Sequence, residues 1–270
     1  MDIAVAIPKV LPRNAFAFDA AHVPLRDVSA AKAGCSTCEL RRLCIPAGLD
    51  TTFVQTLDRL FTRRIRLRKG ESLFRAGDRF TSLYAVRSGS CKTLMLTSDG
   101  HDQVCGYYIR GEIIGIDGVG GGRHDCQAIM LEDTEVCVLP FDRIEELARH
   151  NGEFQRALHR RLAMEIARER NVMLMLGAMR AEQRLAAFLL DLAHRYHERG
   201  YSSTEFVLRM TREEIGSYLG LKLETVSRLF SRFHQDGLVQ VQGRIVKQLD
   251  RGGLEGRITA PLQYAPGPAA

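Results

Sequence analysis

A chain of 270 residues that is 45% hydrophobic can bury one or two real cores, and it contains no apolar run as long as a membrane span. Its formal net charge of +6 is compatible with a nucleic-acid partner without requiring one. Seven cysteines, an odd number, argue against a disulfide framework and for metal, cluster or redox chemistry where they crowd together.

Residues 1–50 read as an irregular N-terminal segment. The start, "MDIAVAIPKVLPRN", lacks the basic and small-residue signature of a secretory leader, so the expected location is cytoplasmic, with no membrane partner. Within the segment, "CSTCELRRLC" places Cys35, Cys38 and Cys44 in one short basic loop. Residues 51–149 form the next unit. Its short apolar runs, from about Leu67 to Pro140, are punctuated by turn signals and predict an antiparallel β-roll. The run Gly118–Gly122 reads as a flexible loop; it lacks the Lys-Ser/Thr and the setting of a phosphate-binding loop.

After Pro140 the hydrophobic period changes. Residues 150–182 read as one long helix, with Leu162, Ile166, Glu169, Met173 and Leu176 at gaps of four and three. That spacing is a coiled-coil seam, which a second copy of the chain would satisfy. Glu169 interrupts the apolar stripe. Either it lies at the edge and points to water, or two copies repel across a dimer axis at a cost of about 1–3 kcal/mol.

Residues 183–250 end the ordered chain as a compact unit, and 251–270, rich in Gly, Pro and Ala, read as a flexible tail. Thr211 followed by Glu214 is a capping box, and Gly220 closes the helix it opens. The next helix starts near Leu223, with Val226, Leu229, Phe230 and Phe233 on one face. Glu224, Ser227, Arg228 and Ser231 share another face. Helix, tight turn and a second helix with a polar face make a helix-turn-helix, and "LVQVQGRIVKQL" supplies a wing. Arg228 can bind guanine with two bonds, Glu224 can accept from cytosine, and Ser227 can meet either kind of edge. Thr211, Arg212, Lys222 and Thr225 lie where phosphate contacts are expected. Double-stranded DNA is the partner this pattern implies.

The β-roll, the long helix and "TREEIGSYLGLKLETVSRLF" together resemble the CRP/FNR superfamily of bacterial transcription regulators, over roughly residues 35–250. The resemblance implies an α+β fold: a cyclic-nucleotide-binding-type β-roll, a dimerisation helix and a winged helix-turn-helix. It implies a homodimer, contact with RNA polymerase and no catalysis. The cyclic-nucleotide branch fits poorly. Gly111-Glu112 matches the start of its phosphate cassette, but the positions of its Arg-Ser pair fall on Cys126-Gln127, so no cyclic nucleotide is expected.

The fumarate and nitrate reduction regulator (FNR) branch fits better. Its C-x2-C-x5-C pattern followed by Ile/Leu-Pro is met by Cys35, Cys38, Cys44, Ile45 and Pro46. A cubane commonly takes four cysteines. Cys91, Cys105, Cys126 and Cys137 are the candidates for the fourth, and alternation on a strand frees Cys137 from the core without selecting it. The resemblance selects Cys137, which shortly precedes Pro140-Phe141 as the family's distal cysteine does.

The resemblance therefore implies one 4Fe-4S cluster per subunit, with oxygen as the signal that destroys it. The intact form would favour a dimer on TTGAT-like palindromes, with an acidic residue at the position of Glu169. The loop Thr97–Gln103 is one candidate for the family's polymerase-contacting surface, and it departs from the family with His101 where an acid is common. Structural zinc, or a thiol switch without metal, remains an alternative for the cysteine loop.

Overall fold

The computed structural model describes residues 26–27, 34–96, 100 and 102–259. Nine strands come first: β1 (Arg26–Asp27), β2 (Arg64–Leu67), β3 (Ser72–Phe74), β4 (Ser82–Ser88), β5 (Ser90–Leu96), β6 (Asp102–Ile109), β7 (Ile113–Ile114), β8 (Gln127–Met130) and β9 (Thr134–Pro140). They form two antiparallel sheets, of order β1-β2-β9-β4-β7 and β3-β8-β5-β6. Alternation along the strands sends Ile65, Val86, Val136 and Val138 from one sheet, and Phe74, Ala128 and Met130 from the other, into a shared core.

The outer face of the first sheet is also covered. Ala85, Ile113 and Leu139 pack beneath α1 (Thr51–Leu60), α3 (Phe141–His150) and the first turns of α4 (Gly152–Ala178). Asp50 caps α1 by accepting from the Phe53 N–H at 2.9 Å, and Asn151 caps α4 by accepting from Phe154 at 2.8 Å. Phe154, Ala157 and Leu158 bury the start of α4 against the roll.

A third core follows. Helix α5 (Ala181–Glu198) packs against α6 (Arg212–Leu219), α7 (Leu223–Gln235) and a small sheet of order β10-β12-β11, built from β10 (Phe206–Val207), β11 (Val239–Gln242) and β12 (Ile245–Leu249). Val104, Tyr107 and Ile109 of β6 join the same core, so the reader and the β-roll share buried surface.

Two expectations are corrected. Gly118–Gly122 is not a loop throughout: Gly118–Gly121 form one helical turn, α2, which lies so close to Phe80 that a Cβ at Gly118 would stand 2.6 Å from its ring. Nor is the whole segment after 250 frayed. Arg251–Thr259 fold as a helix, α8, because Leu254 drops fully into the third core and the Asp250 carboxylate accepts from the Gly253 N–H at 3.1 Å. Residues 260–270 lie outside the described residues.

Candidate functional site

Short-range bonds fold the cysteine loop onto itself. Cys38 N–H donates to the Cys35 carbonyl at 3.3 Å, a 3-10 turn spans Glu39–Arg42, and Cys44 N–H donates to Leu40 O at 3.0 Å. Leu40 and Ile45 are buried and seat the loop on the roll. Asp58 of α1 fastens its start: the carboxylate accepts from the Ser36 N–H at 2.9 Å and from the Ser36 hydroxyl, and Gly34 lies too close to Asp58 for a Cβ. Asp58 is a residue that sequence reasoning missed, since its spacing from the cysteines carries no signal.

Cys35, Cys38 and Cys44 line one cavity, and Cys137 reaches it from β9 across the chain. The cavity itself is small, about 40 Å³. Alternation along β9 explains the fourth thiol: Val136 and Val138 enter the inter-sheet core, while Cys137 lies on the opposite face. Cys91 and Cys126 are buried in the roll and Cys105 is exposed; all seven cysteines are free.

Three of the thiols are shifted by their surroundings. Burial first, then neighbouring Cys44 and Cys137, push the Cys35 thiol up to about 12. Burial likewise pushes Cys44 to about 12, with Cys137 adding to the rise and Arg161 opposing it. Burial raises Cys137 as well, against the pull of Arg64 and Arg87. Thiols so reluctant to ionise alone become thiolates when a cationic centre compensates the charge. Among the described residues, no group of three or more His, Cys, Asp or Glu side chains converges on a single-ion position. The four cysteines nevertheless line one cavity, and four cysteines are the donor set that iron–sulfur clusters commonly take.

The cavity adjoins the long helix. Arg161 of α4 donates to the Arg42 carbonyl of the cysteine loop at 3.3 Å. Farther along α4, Ile166, Glu169 and Met173 are exposed, with Ile166 at 55% and Met173 at 71%, whereas Leu162 and Leu176 are half-buried against their own chain. The apolar stripe is therefore open at its middle, around Glu169.

Glu112 does not face a nucleotide pocket. It is half-buried at the turn before β7 and bound by three arginines: Arg195 of α5 at 2.6 Å, Arg199 just past the end of α5 at 2.9 Å, and Arg168 of α4 at 3.5 Å. Burial opposes its ionisation, but Arg195 and Arg168 outweigh it and hold the carboxyl at about 2. Arg123 is spent on the Gly77 carbonyl at 2.7 Å.

The reader forms from local chemistry. Glu214 N–H donates to Thr211 Oγ1 at 3.1 Å, while the Thr211 N–H donates to the Glu214 carboxylate at 2.6 Å. Gly220 ends α6 with φ +63°, and a Cβ on Gly216 would stand 2.6 Å from the Leu221 carbonyl, so the α6–α7 turn requires both glycines. In α7, Val226, Phe230 and Phe233 are buried, Leu229 is half-buried, and Glu224, Ser227, Arg228 and Ser231 are exposed. Lys222 and Thr225 stand at the N-terminal end of α7. Arg212 differs from the others: its guanidinium lies 3.2 Å over the Phe230 ring, and burial lowers it to about 10.

Contacts the sequence did not disclose dock this unit on the roll. Lys92 of β5 meets Glu214 at 2.7 Å, and the Val104 N–H donates to Ser217 at 2.8 Å. Arg184 of α5 donates to carbonyls at both neighbouring helix ends, Leu176 at 2.6 Å and Leu219 at 3.0 Å. Of the polymerase-contacting candidate, Thr97–Asp99 and His101 lie outside the described residues, and Gln103 is spent on the carbonyls of Val104 and Ser217.

Comparison with known proteins agrees with this architecture. Residues 183–257 match the Crp-like helix-turn-helix domain, and residues 64–151 match the cyclic nucleotide-binding domain. The transcriptional regulatory protein btr of Bordetella pertussis is 46% identical over 83% of this chain and 92% of its own. The chain belongs to the CRP/FNR family of transcription regulators. Other relatives are the transcriptional activator protein Anr of Pseudomonas protegens, 42% identical over 81% of this chain and 90% of its own, and the fumarate and nitrate reduction regulatory protein of Escherichia coli, 39% identical over 78% and 85%. The solved structure of FixK2 from Bradyrhizobium japonicum superposes with a TM-score of 0.67, at 30% identity, over 73% of this chain and 97% of that one. Like these proteins, the regulator is a DNA-binding transcription factor and not an enzyme. Among the described residues, no helix is long and apolar enough to cross a membrane.

Proposed function

We propose that the regulator is an oxygen-responsive cytoplasmic dimer in which Cys35, Cys38, Cys44 and Cys137 hold one 4Fe-4S cluster per subunit. The observation that carries this reading is the meeting of Cys137 with three thiols about a hundred residues earlier at one cavity walled by arginines. Such a cluster supplies an assembly of iron and sulfide that oxygen dismantles. The protein's own part is mechanical. With its thiols fixed, the loop presents the Arg42 carbonyl to Arg161, which sits two turns before Glu169 on α4.

The middle of the seam, Ile166, Glu169 and Met173, would meet its copy in the dimer. Two Glu169 carboxylates there hold the association near balance, where about 1.4 kcal/mol is a tenfold change in the equilibrium. Glu169→Ala is expected to yield dimers in air, read by sedimentation; a monomeric variant would count against the seam. The dimer would place two copies of α7 on a TTGAT-like palindrome, with Arg228, Glu224 and Ser227 at base edges. Thr211, Arg212, Lys222 and Thr225 would lie along the phosphates. RNA polymerase is the remaining partner of this reading.

The deciding experiment is iron and acid-labile sulfide analysis of protein purified without oxygen, with an absorption spectrum before and after a pulse of air. About four irons and four sulfides per chain, with absorption bleaching in air, are expected. Zinc on the same thiols, or no metal, would remove the oxygen mechanism and leave the DNA reader standing.

A further inference from the structure

The wall of the cysteine cavity carries an anchored positive charge. Strand β4 pairs Val86 with Val136 and Ser88 with Glu135, so Arg87 is the extra residue of a β-bulge. A bulge re-aims the side chain it carries. Here Arg87 Nη1 donates to Cys38 Sγ at 3.6 Å, while its Nε meets Glu135 at 3.2 Å. On the other neighbour of β9, Arg64 stands directly opposite Cys137 and lies 3.7 Å from the same carboxylate. Arg66 completes the set, at 2.9 Å from Glu135. One half-buried carboxylate thus holds three guanidiniums, two of which line the cavity.

Folding neutralises such pairs by matching charge, and here cations are in excess. Glu135 suffices for one arginine; Arg66 is largely exposed to solvent, while Arg64 and Arg87 line the cavity with the thiols. A guanidinium can make both of Arg87's bonds at once because its donors form a rigid planar fork, which an ammonium lacks. The structure therefore contains a donor to sulfur that is oriented by a third group, the arrangement by which outer residues tune a bound metal centre.

We propose that Arg87, oriented by Glu135, is a positioning and tuning residue for the bound cluster: its bond to the Cys38 sulfur and its charge set how readily the cluster gives up an electron. This inference rests on the cluster reading above. The step concerned is the passage of one electron from the cluster to dioxygen, which leaves as superoxide; no bond to the protein forms or breaks. Four thiolates make the whole assembly negative, and electron loss makes it less so. A fixed cation and a hydrogen bond to sulfur favour the more negative form and so retard the step. Arg64, opposite Cys137, adds charge without an observed bond to sulfur.

The test uses the full-length protein loaded with cluster without oxygen. Arg87→Gln is expected to bind iron and sulfide as the parent does. It should lose its absorption in air-saturated buffer about tenfold faster, with the one-electron midpoint lowered by about 59 mV, the equivalent of that factor. Arg87→Lys, which keeps the charge but not the fork, should fall between the two. Thermal melting of the metal-free proteins reports on folding alone and is expected to be similar for all three. If Arg87→Gln fails to fold, Arg87→Lys alone carries the test, and bleaching faster than the parent's is again expected, since the ammonium cannot hold both Glu135 and the Cys38 sulfur. A parent that takes up no iron and sulfide would overturn the cluster reading. A parent that takes them up, with rates and midpoints unchanged in the variants, would overturn only the role of Arg87.

Discussion

The cysteine cavity and the DNA reader teach different lessons about how a site is made. The reader's key residues, Thr211 to Ser231, lie within one continuous stretch, and a capping box, two required glycines and two helical stripes organise them. The cavity draws on a loop, a strand from the far end of the roll and arginines of two further strands. Local hydrogen bonds shape the first site; the second exists only when the sheet has closed. The reader should therefore survive many single substitutions as a fold, while the cavity should fail when one distant partner is removed.

Substitution of Cys137 tests that contrast most severely. Cys137→Ser is expected to lower iron and sulfide content by at least about tenfold, since one iron loses its protein ligand. The circular dichroism of the metal-free protein should stay unchanged, because the side chain lies outside the inter-sheet core. A variant that loads normally would show that the fourth ligand lies elsewhere.

Glu112 sharpens the comparison, because it joins the two halves. Glu112→Gln takes from three arginines the carboxylate they share, leaving each one further carboxylate (Glu165, Asp191 or Glu198), and should destabilise the chain by about 1–3 kcal/mol, measured by denaturant unfolding. The parent's pH dependence follows from the carboxyl's position. Its folded value, about 2, lies below the ordinary 4.5, so the contribution is present above 4.5 and is lost as pH falls toward 2. The variant should lack that component of the acid transition. Identical acid profiles would show that the network contributes nothing.

In the reader, effects should be smaller and should fall on function before fold. Arg228→Ala is expected to cost about 1–3 kcal/mol of discrimination at the guanine of the half-site, read in a binding series at constant salt. Equal losses on all sequences would instead make Arg228 a phosphate contact. Thr211→Ala, which removes one arm of the capping box, should cost about 1 kcal/mol of stability in a thermal melt. A loss several times larger would mean that Thr211 also supports the docking of α6 on β6.

The sites were unequally legible for physical reasons. Thr211, Glu214 and Gly220 announce a helix-turn-helix because caps and left-handed turns are satisfied by neighbours three or four residues away. Cys35, Cys38 and Cys44 were visible as a group by spacing. Cys137 was visible only by resemblance, because alternation told which way it could face and not what it would meet. Asp58, Glu135, Arg87 and Arg161 carried no signal, as each acquires its role from a partner on another element. The same reason defeated the reading of 251–259 as a tail: Leu254 amid glycines is unremarkable until α8 finds the reader's core.

By itself, the sequence determined the order of roll, long helix and reader, since period-two and period-3.6 patterns and caps are short-range properties of the chain. Tertiary structure alone decided that Glu112 serves three arginines, that Gln103 is spent on α6 and that a bulge turns Arg87 toward a sulfur. Charge pairing and cavity lining depend on distances between elements, and those distances are set only when the sheets and helices pack.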